Sequence, residues 1–146
     1  MTVTFVVPGM PQGKGRPRFM RNGHTYTPDK TRKYERLIRE AYLLQSGHFY
    51  DRAALALCIY ACFPIPKSYT KKQRELIRAG KMFPLVKPDG DNIAKAVMDA
   101  LNGIAYDDDK QIVDIRCFKR YACGDSRSEC LIVSISNEVI NVERQT

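Results

Sequence analysis

Seven of the sixteen acidic residues fall between Asp89 and Asp114, in a chain that is otherwise strongly basic. The first group lies in Lys87-Pro88-Asp89-Gly90-Asp91-Asn92-Ile93-Ala94-Lys95. Pro88 and Gly90 break regular structure, so Asp89 is expected in a loop and Asp91 at or near the first position of a helix. Asp91, Lys95 and Asp99 then recur at i, i+4 and i+8 and share one polar stripe, beside an apolar face of Ile93, Val97, Ala100 and Leu101. A second group, Asp107-Asp108-Asp109, follows the helix stop at Gly103 and leads into a strand. If the chain folds back near the helix start, Asp89, Asp91 and one aspartate of 107–109 converge on one or two metals, with Lys95 pointing at the same spot. Mg2+ or Mn2+ held there would take oxygen ligands, activate a water and bind a phosphate. A lysine beside it offsets the extra charge of a pentavalent transition state. The set suits phosphodiester hydrolysis.

Each part also has a plainer reading. An aspartate at a helix N-terminus is stabilised by the dipole and the unpaired N–H groups, a charged stripe is a surface salt-bridge ladder, and an acidic run is a solvated turn. Competing chemistries find less support. His24 and His48 are remote in sequence from the acidic cluster, and no Ser-His-Asp or Cys-His arrangement stands out. Gly9 to Gly15 lacks the spacing and the Ser/Thr of a phosphate-binding loop. Asp89 to Lys95 lacks the ligand pattern of a calcium-binding loop. Cys58, Cys62, Cys117, Cys123 and Cys130 show no zinc-finger spacing and read as reduced thiols, with Cys58 and Cys62 on one side of a strand and in the core.

The remaining charge supplies a substrate side. Residues 1–81 hold 16 Lys+Arg and 5 Asp+Glu, whereas residues 82–146 hold 8 and 11. Lys14, Arg16 and Arg18, separated by Gly15 and Pro17, form a basic loop through which the backbone can approach a phosphate chain. Arg32, Lys33, Arg36 and Arg39 on one helix face, and Lys71, Lys72, Arg74 and Arg78 on a second segment, extend it. One such run is an ordinary solvated face; three within residues 14–78 favour nucleic acid.

These groups need a scaffold, and the pattern predicts one. Thr2–Val7 reads as a strand, Asn22-Gly23 as a hairpin signal because both residues tolerate positive φ, and Pro28–Gln45 as a helix with Tyr34, Leu37, Ile38, Ala41 and Leu44 inward. Residues 53–63 read as a buried strand, residues 70–80 as a short basic helix capped by Ser68 or Thr70, and Asp91–Asn102 as a helix. Strands over Gln111–Ala122 and Glu129–Asn137 follow, joined by the turn Cys123–Ser128. The order predicts a single α+β domain with a mixed or antiparallel sheet and helices packed on it. It divides into a basic DNA-contacting half (1–81), an acidic metal-site half (82–137) and a frayed tail (138–146). The chain has 146 residues, 44% of them hydrophobic, with a net charge of +8. No apolar run is long enough to span a membrane and the N-terminus lacks a signal pattern, so a cytoplasmic protein is expected.

The acidic cluster as a whole resembles the RusA family of Holliday-junction resolvases, mostly bacterial and prophage-encoded. The matching residues are Asp89-x-Asp91-Asn92-x-x-Lys95-x-x-x-Asp99-Ala100-Leu101 and Asp108-Asp109-x-Gln111-Ile112-Val113. The resemblance implies a Mg2+-dependent endonuclease, with Mn2+ as a substitute and no organic cofactor, that cuts four-way DNA junctions by paired symmetric nicks as a homodimer. It implies that Asp89, Asp91 and Asp109 bind metal and that Lys95 is required for cleavage; the spacing to Gln111 favours Asp109 over Asp108. Asp99 is in register but is assigned only a supporting role in the helix. The chain departs from shorter members in a Pro-flanked segment at 64–82 and in its third consecutive aspartate. Two other readings stay open: a non-catalytic nucleic-acid-binding protein with a structural cation site, and a metal-dependent nuclease for flaps or RNA.

Overall fold

The computed structural model describes residues 1–122 and 128–140. Among them the main sheet has four strands, in the order β1 (Thr2–Pro8), β6 (Cys130–Ser136), β4 (Leu55–Phe63) and β5 (Ile112–Tyr121). The β1–β6 and β6–β4 pairs are antiparallel and the β4–β5 pair is parallel. The sheet is therefore mixed. The parallel pair demands a crossover, because two parallel strands cannot be joined by a tight turn. That crossover contains α2 (Lys71–Arg78) and α3 (Gly90–Leu101). The first strand and the last are neighbours, so the basic N-terminal and acidic C-terminal stretches share one domain.

Alternation along the strands sends Val3, Phe5 and Val7 of β1, Leu55, Leu57 and Ile59 of β4, and Leu131, Val133 and Ile135 of β6 into one core. α1 (Asp29–Gln45) and α3 cover that face and pack on each other. α3 buries Ile93, Ala94, Ala96, Val97, Ala100 and Leu101, the apolar face its sequence predicts. Buried tyrosines tie the layers together at their polar ends: the Tyr50 hydroxyl donates to the Ile135 carbonyl at 3.0 Å, and the Tyr106 hydroxyl to the Met98 carbonyl at 2.8 Å. The Gln45 side chain pairs with both backbone groups of Val6 and so closes part of the β1 edge. No described helix is long and apolar enough to cross a membrane.

Several expectations shift. Leu44 is 87% exposed, and Tyr42 takes the inward place in α1, because six residues beyond Ile38 the helix has turned Leu44 away from the stripe. Cys58 and Cys62 do share a strand face, but it is the one opposite the helices; Cys58 is half-buried there and Cys62 buried. Thr70 rather than Ser68 caps α2, in a reciprocal box with Gln73. In the hairpin of β2 (Arg18–Phe19) and β3 (Thr25–Tyr26) only Gly23 has positive φ, at 84°. Gly23 N–H bonds the Met20 carbonyl and Met20 N–H bonds the His24 carbonyl, so the expected hairpin closes through a three-residue loop with Gly23 in the left-handed position. Of the expected Cys123–Ser128 turn, 123–127 lie outside the described residues, as do residues 141–146 of the expected tail.

Candidate active site

Asp89 is the N-cap residue of α3, with extended backbone (φ −69°, ψ 153°), yet its carboxylate makes no capping hydrogen bond. Asp91 lies in the first turn, and both aspartates are exposed. Lys95, one turn further, is also exposed, whereas Asp99 is half-buried. The same stripe thus runs from solvent at the helix start to a packed environment at its other end.

The loop at 9–17 is fastened to this helix. Lys14 N–H donates to the Asn92 carbonyl at 3.0 Å, and Gly15 N–H donates to the Thr31 hydroxyl of α1 at 3.1 Å. A Cβ at Gly13 would stand 2.9 Å from the Cβ atoms of both Asn92 and Pro88, so only glycine lets the loop lie this close to the start of α3. The Lys14 ammonium is 2.5 Å from Glu35 of α1 and 3.2 Å from Asp99 of α3. Burial pushes the Lys14 pKa down, but its bonds to Glu35 and Asp99 and their charges outweigh this and leave it raised. Lys14 therefore joins three segments within the protein. Arg16 and Arg18 are exposed, as are Phe19 and Tyr26 on the hairpin.

The acidic turn is built around Gln111. Asp108 caps a short 3-10 turn (Asp109–Gln111) by accepting from Lys110 N–H at 2.9 Å. The Gln111 side-chain oxygen accepts from the N–H groups of Asp107 and Asp108, and its amide donates to the carbonyls of Tyr50 and Ala53. The Lys110 N–H bond holds the Asp108 carboxyl below its ordinary range. Burial raises Asp109; Asp108 and then Asp99 push the same way, and Lys95 opposes them. In this coupled pair Asp109 takes up a proton before Asp108.

The start of the turn lies beside the later part of α3, where the Tyr106 hydroxyl donates to the Met98 carbonyl. Asp99 and Lys95 are the α3 charges that act on Asp109, and Asp89 and Asp91 lie at the N-terminal end of the same helix. Among the described residues no three His, Cys, Asp or Glu side chains form a group that could hold a metal ion. The exposed carboxylates nevertheless match the donor chemistry of Mg2+, which binds through one or two carboxylates and completes its shell with water and substrate phosphate. Glu35, Asp99 and Gln111 were not assigned to the site from sequence. Gln111 carried a legible signal, since Asp108-x-x-Gln111 is a capping-box pattern. Glu35 carried none, because its partner is 21 positions away.

A cleft of about 670 Å³ lies between this loop, the start of α1 and Lys87-Pro88. Arg16, Arg18, Lys30 and Lys87 line it with no carboxylate among the lining residues, and the lining includes Pro88, the residue before Asp89. A cationic lining of this kind attracts an anionic chain such as a nucleic-acid backbone.

Comparison with known proteins identifies the family. The family model of endodeoxyribonuclease RusA matches residues 8–129. The chain is also 34% identical over 142 residues to the uncharacterized protein YqaN of Bacillus subtilis (strain 168), covering 92% of this chain and 97% of that protein. The matched span runs from the basic loop to the start of the last strand and takes in the whole aspartate–lysine stripe: the chain belongs to the RusA endodeoxyribonuclease family.

Proposed function

We propose that the chain is a Mg2+-dependent endonuclease that resolves four-way DNA junctions by paired symmetric nicks, acting as a homodimer, with Mn2+ able to replace Mg2+. The observation that carries this reading is the cationic cleft whose lining includes Pro88, the residue before Asp89, at the head of the stripe of Asp91 and Lys95. Family membership supplies DNA as the substrate and branched junctions as its class. Two equivalent strands at a two-fold junction call for two equivalent sites, which a two-fold dimer provides.

In this reading Asp89 and Asp91 would hold the cation, with Asp109 as the third carboxylate. When bound, the metal lowers the pKa of a water and draws charge from the scissile phosphate. The protein's own residues do the rest. Arg16 and Arg18 grip phosphates in the cleft, so residues 1–81 supply the substrate grip and residues 82–137 the cleavage chemistry. Lys95 places a cation where negative charge develops on the leaving oxygen. Lys14, already engaged by Glu35 and Asp99, acts on DNA by holding the loop that carries Arg16 and Arg18.

A cleavage assay tests the reading. Synthetic four-way junction, linear duplex, single strand, flap and RNA are incubated with wild type and Asp91→Asn, with Mg2+ or EDTA. Paired nicks confined to the junction are expected, absent with EDTA and in Asp91→Asn, which should still bind the junction. Junction binding without a metal-dependent cut on any substrate would replace this reading with a non-catalytic binding protein. Cuts in flaps or RNA alone would keep the chemistry and change the substrate.

A further inference from the structure

A second groove of about 480 Å³, which shares Lys87 with the cationic cleft and has Asp89 in its lining, lies between residues 83–90 and the exposed edge strand β5. Phe83, Phe118 and Arg120 line it, and Tyr60 of the neighbouring strand β4 stacks on Phe118 from outside the lining. The Tyr60 and Phe118 rings stack at 4.8 Å with 17° between their planes. The Arg120 guanidinium lies 5.3 Å from the Phe118 ring centre and 4.9 Å from that of Phe83. Tyr60 is 43% exposed and Phe83 is 42% exposed. Lys119 donates to the Val86 carbonyl and its ammonium lies over the Phe63 ring, which holds the 83–87 segment against β5.

Arg120 uses one side-chain N–H on the neighbouring Lys119 carbonyl, and among the described residues no carboxylate pairs with it. Lys87 adds a second cation on the groove, and Asp89 is the acid among its lining residues. A surface of exposed rings interleaved with unpaired cations is the chemistry that single-stranded nucleic acid uses, with bases on the rings and phosphates on the cations. A second copy of the chain fits it less well. A two-fold contact would place Arg120 and Lys87 against their own counterparts with little acid to compensate, and like charges across an interface are unfavourable.

Resting on the nuclease reading above, we propose that the Phe118–Arg120–Phe83 groove, with Tyr60 stacked behind Phe118, is a stacking subsite for an unpaired nucleotide of the DNA strand that passes Asp89. The strand would enter through the cationic cleft, cross the aspartates and leave over this groove. A junction centre offers such a nucleotide, because bases at the branch point unstack at lower cost than bases within a duplex.

The test is binding of the full chain to a fluorescein-labelled four-way junction in EDTA, so that cleavage plays no part. A single abasic site is stepped through the positions nearest the crossover, with wild type, Phe83→Ala and Arg120→Gln. Stacking of one base is expected to contribute about 5- to 100-fold in affinity. One abasic position should therefore weaken wild type by about that factor and leave Phe83→Ala almost unaffected. Arg120→Gln should lower the salt dependence by about one phosphate contact. The inference is overturned if no abasic position changes wild-type affinity, or if the abasic and Phe83→Ala losses multiply independently. It is also overturned if sedimentation shows Phe83→Ala separating a dimer with base dependence unchanged, which would give the groove to a second copy. Binding without base dependence removes the subsite alone; no junction binding at all removes the nuclease reading with it.

Discussion

Replacing Lys14 by methionine should weaken the fold before it weakens any contact with DNA. The ammonium sits 2.5 Å from Glu35 and 3.2 Å from Asp99, with side-chain exposures of 19% for Lys14, 13% for Glu35 and 29% for Asp99. Methionine keeps the apolar stem and removes the charge, leaving two carboxylates from different helices facing one another. Removing one partner of a fully buried pair costs about 3–5 kcal/mol, while exposed pairs contribute about 0–1 kcal/mol. This partly exposed trio lies between, at about 2 kcal/mol. For a chain of this length that corresponds to a fall in Tm of about 4–8 °C.

The pH dependence gives a second check. The folded-state pKa of Lys14 is raised above the ordinary 10.5. Its contribution is therefore fully present below that value and is lost as pH rises through the folded pKa. The gap between wild type and Lys14→Met should stay constant through neutral pH and close only in strong alkali. Urea unfolding followed by circular dichroism at several pH values measures it. If Lys14→Met matched wild type in stability within about 0.5 kcal/mol, a surface-like value, and lost junction affinity with one fewer phosphate in its salt slope, the internal-strap argument would be refuted. Lys14 would then be a phosphate ligand.

Two further outcomes follow from the same geometry. Gly13→Ala places a Cβ 2.9 Å from Pro88 and from Asn92; it should push the basic loop off α3, destabilise by about 1–3 kcal/mol and reduce junction cleavage, checked by thermal unfolding and nicking rates. Gln111→Ala removes the acceptor shared by Asp107 and Asp108 and the donor to Tyr50 and Ala53. At about 0.5–1.5 kcal/mol per hydrogen bond, partly replaced by water, a loss of about 2 kcal/mol is expected, with faster amide exchange at Asp107 and Asp108. Unchanged exchange there would show that the turn holds without Gln111.

Local signals made much of the molecule legible. The α3 stripe and its apolar face followed from residue spacing alone, because a helix converts a period of three to four directly into a face. Thr70 and Asp108 cap their turns through contacts two or three residues away, within reach of a sequence pattern. The family signature lay in the same local window, about residues 87–120. Even the misplacement of Leu44 was one of helical phase, at the margin of a stripe correctly found.

What the chain's order could not supply was distance in space. Pairing of β4 with β5 in parallel, and of β1 with β6 across the length of the chain, depends on which apolar faces find each other once collapsed. That choice brings the acidic turn back to α3, where Tyr106 bonds the Met98 carbonyl and Asp99 and Lys95 act on Asp109. It also brings Lys14 of the basic loop to Glu35, and it lines up Tyr60, Phe83, and Phe118 with Arg120 from three separate stretches of chain. Sequence alone determined the kinds of chemical group and the local faces that bear them, since these depend on covalent order and short-range backbone geometry. Tertiary structure decided which groups meet, since packing and desolvation act between segments that are remote in sequence.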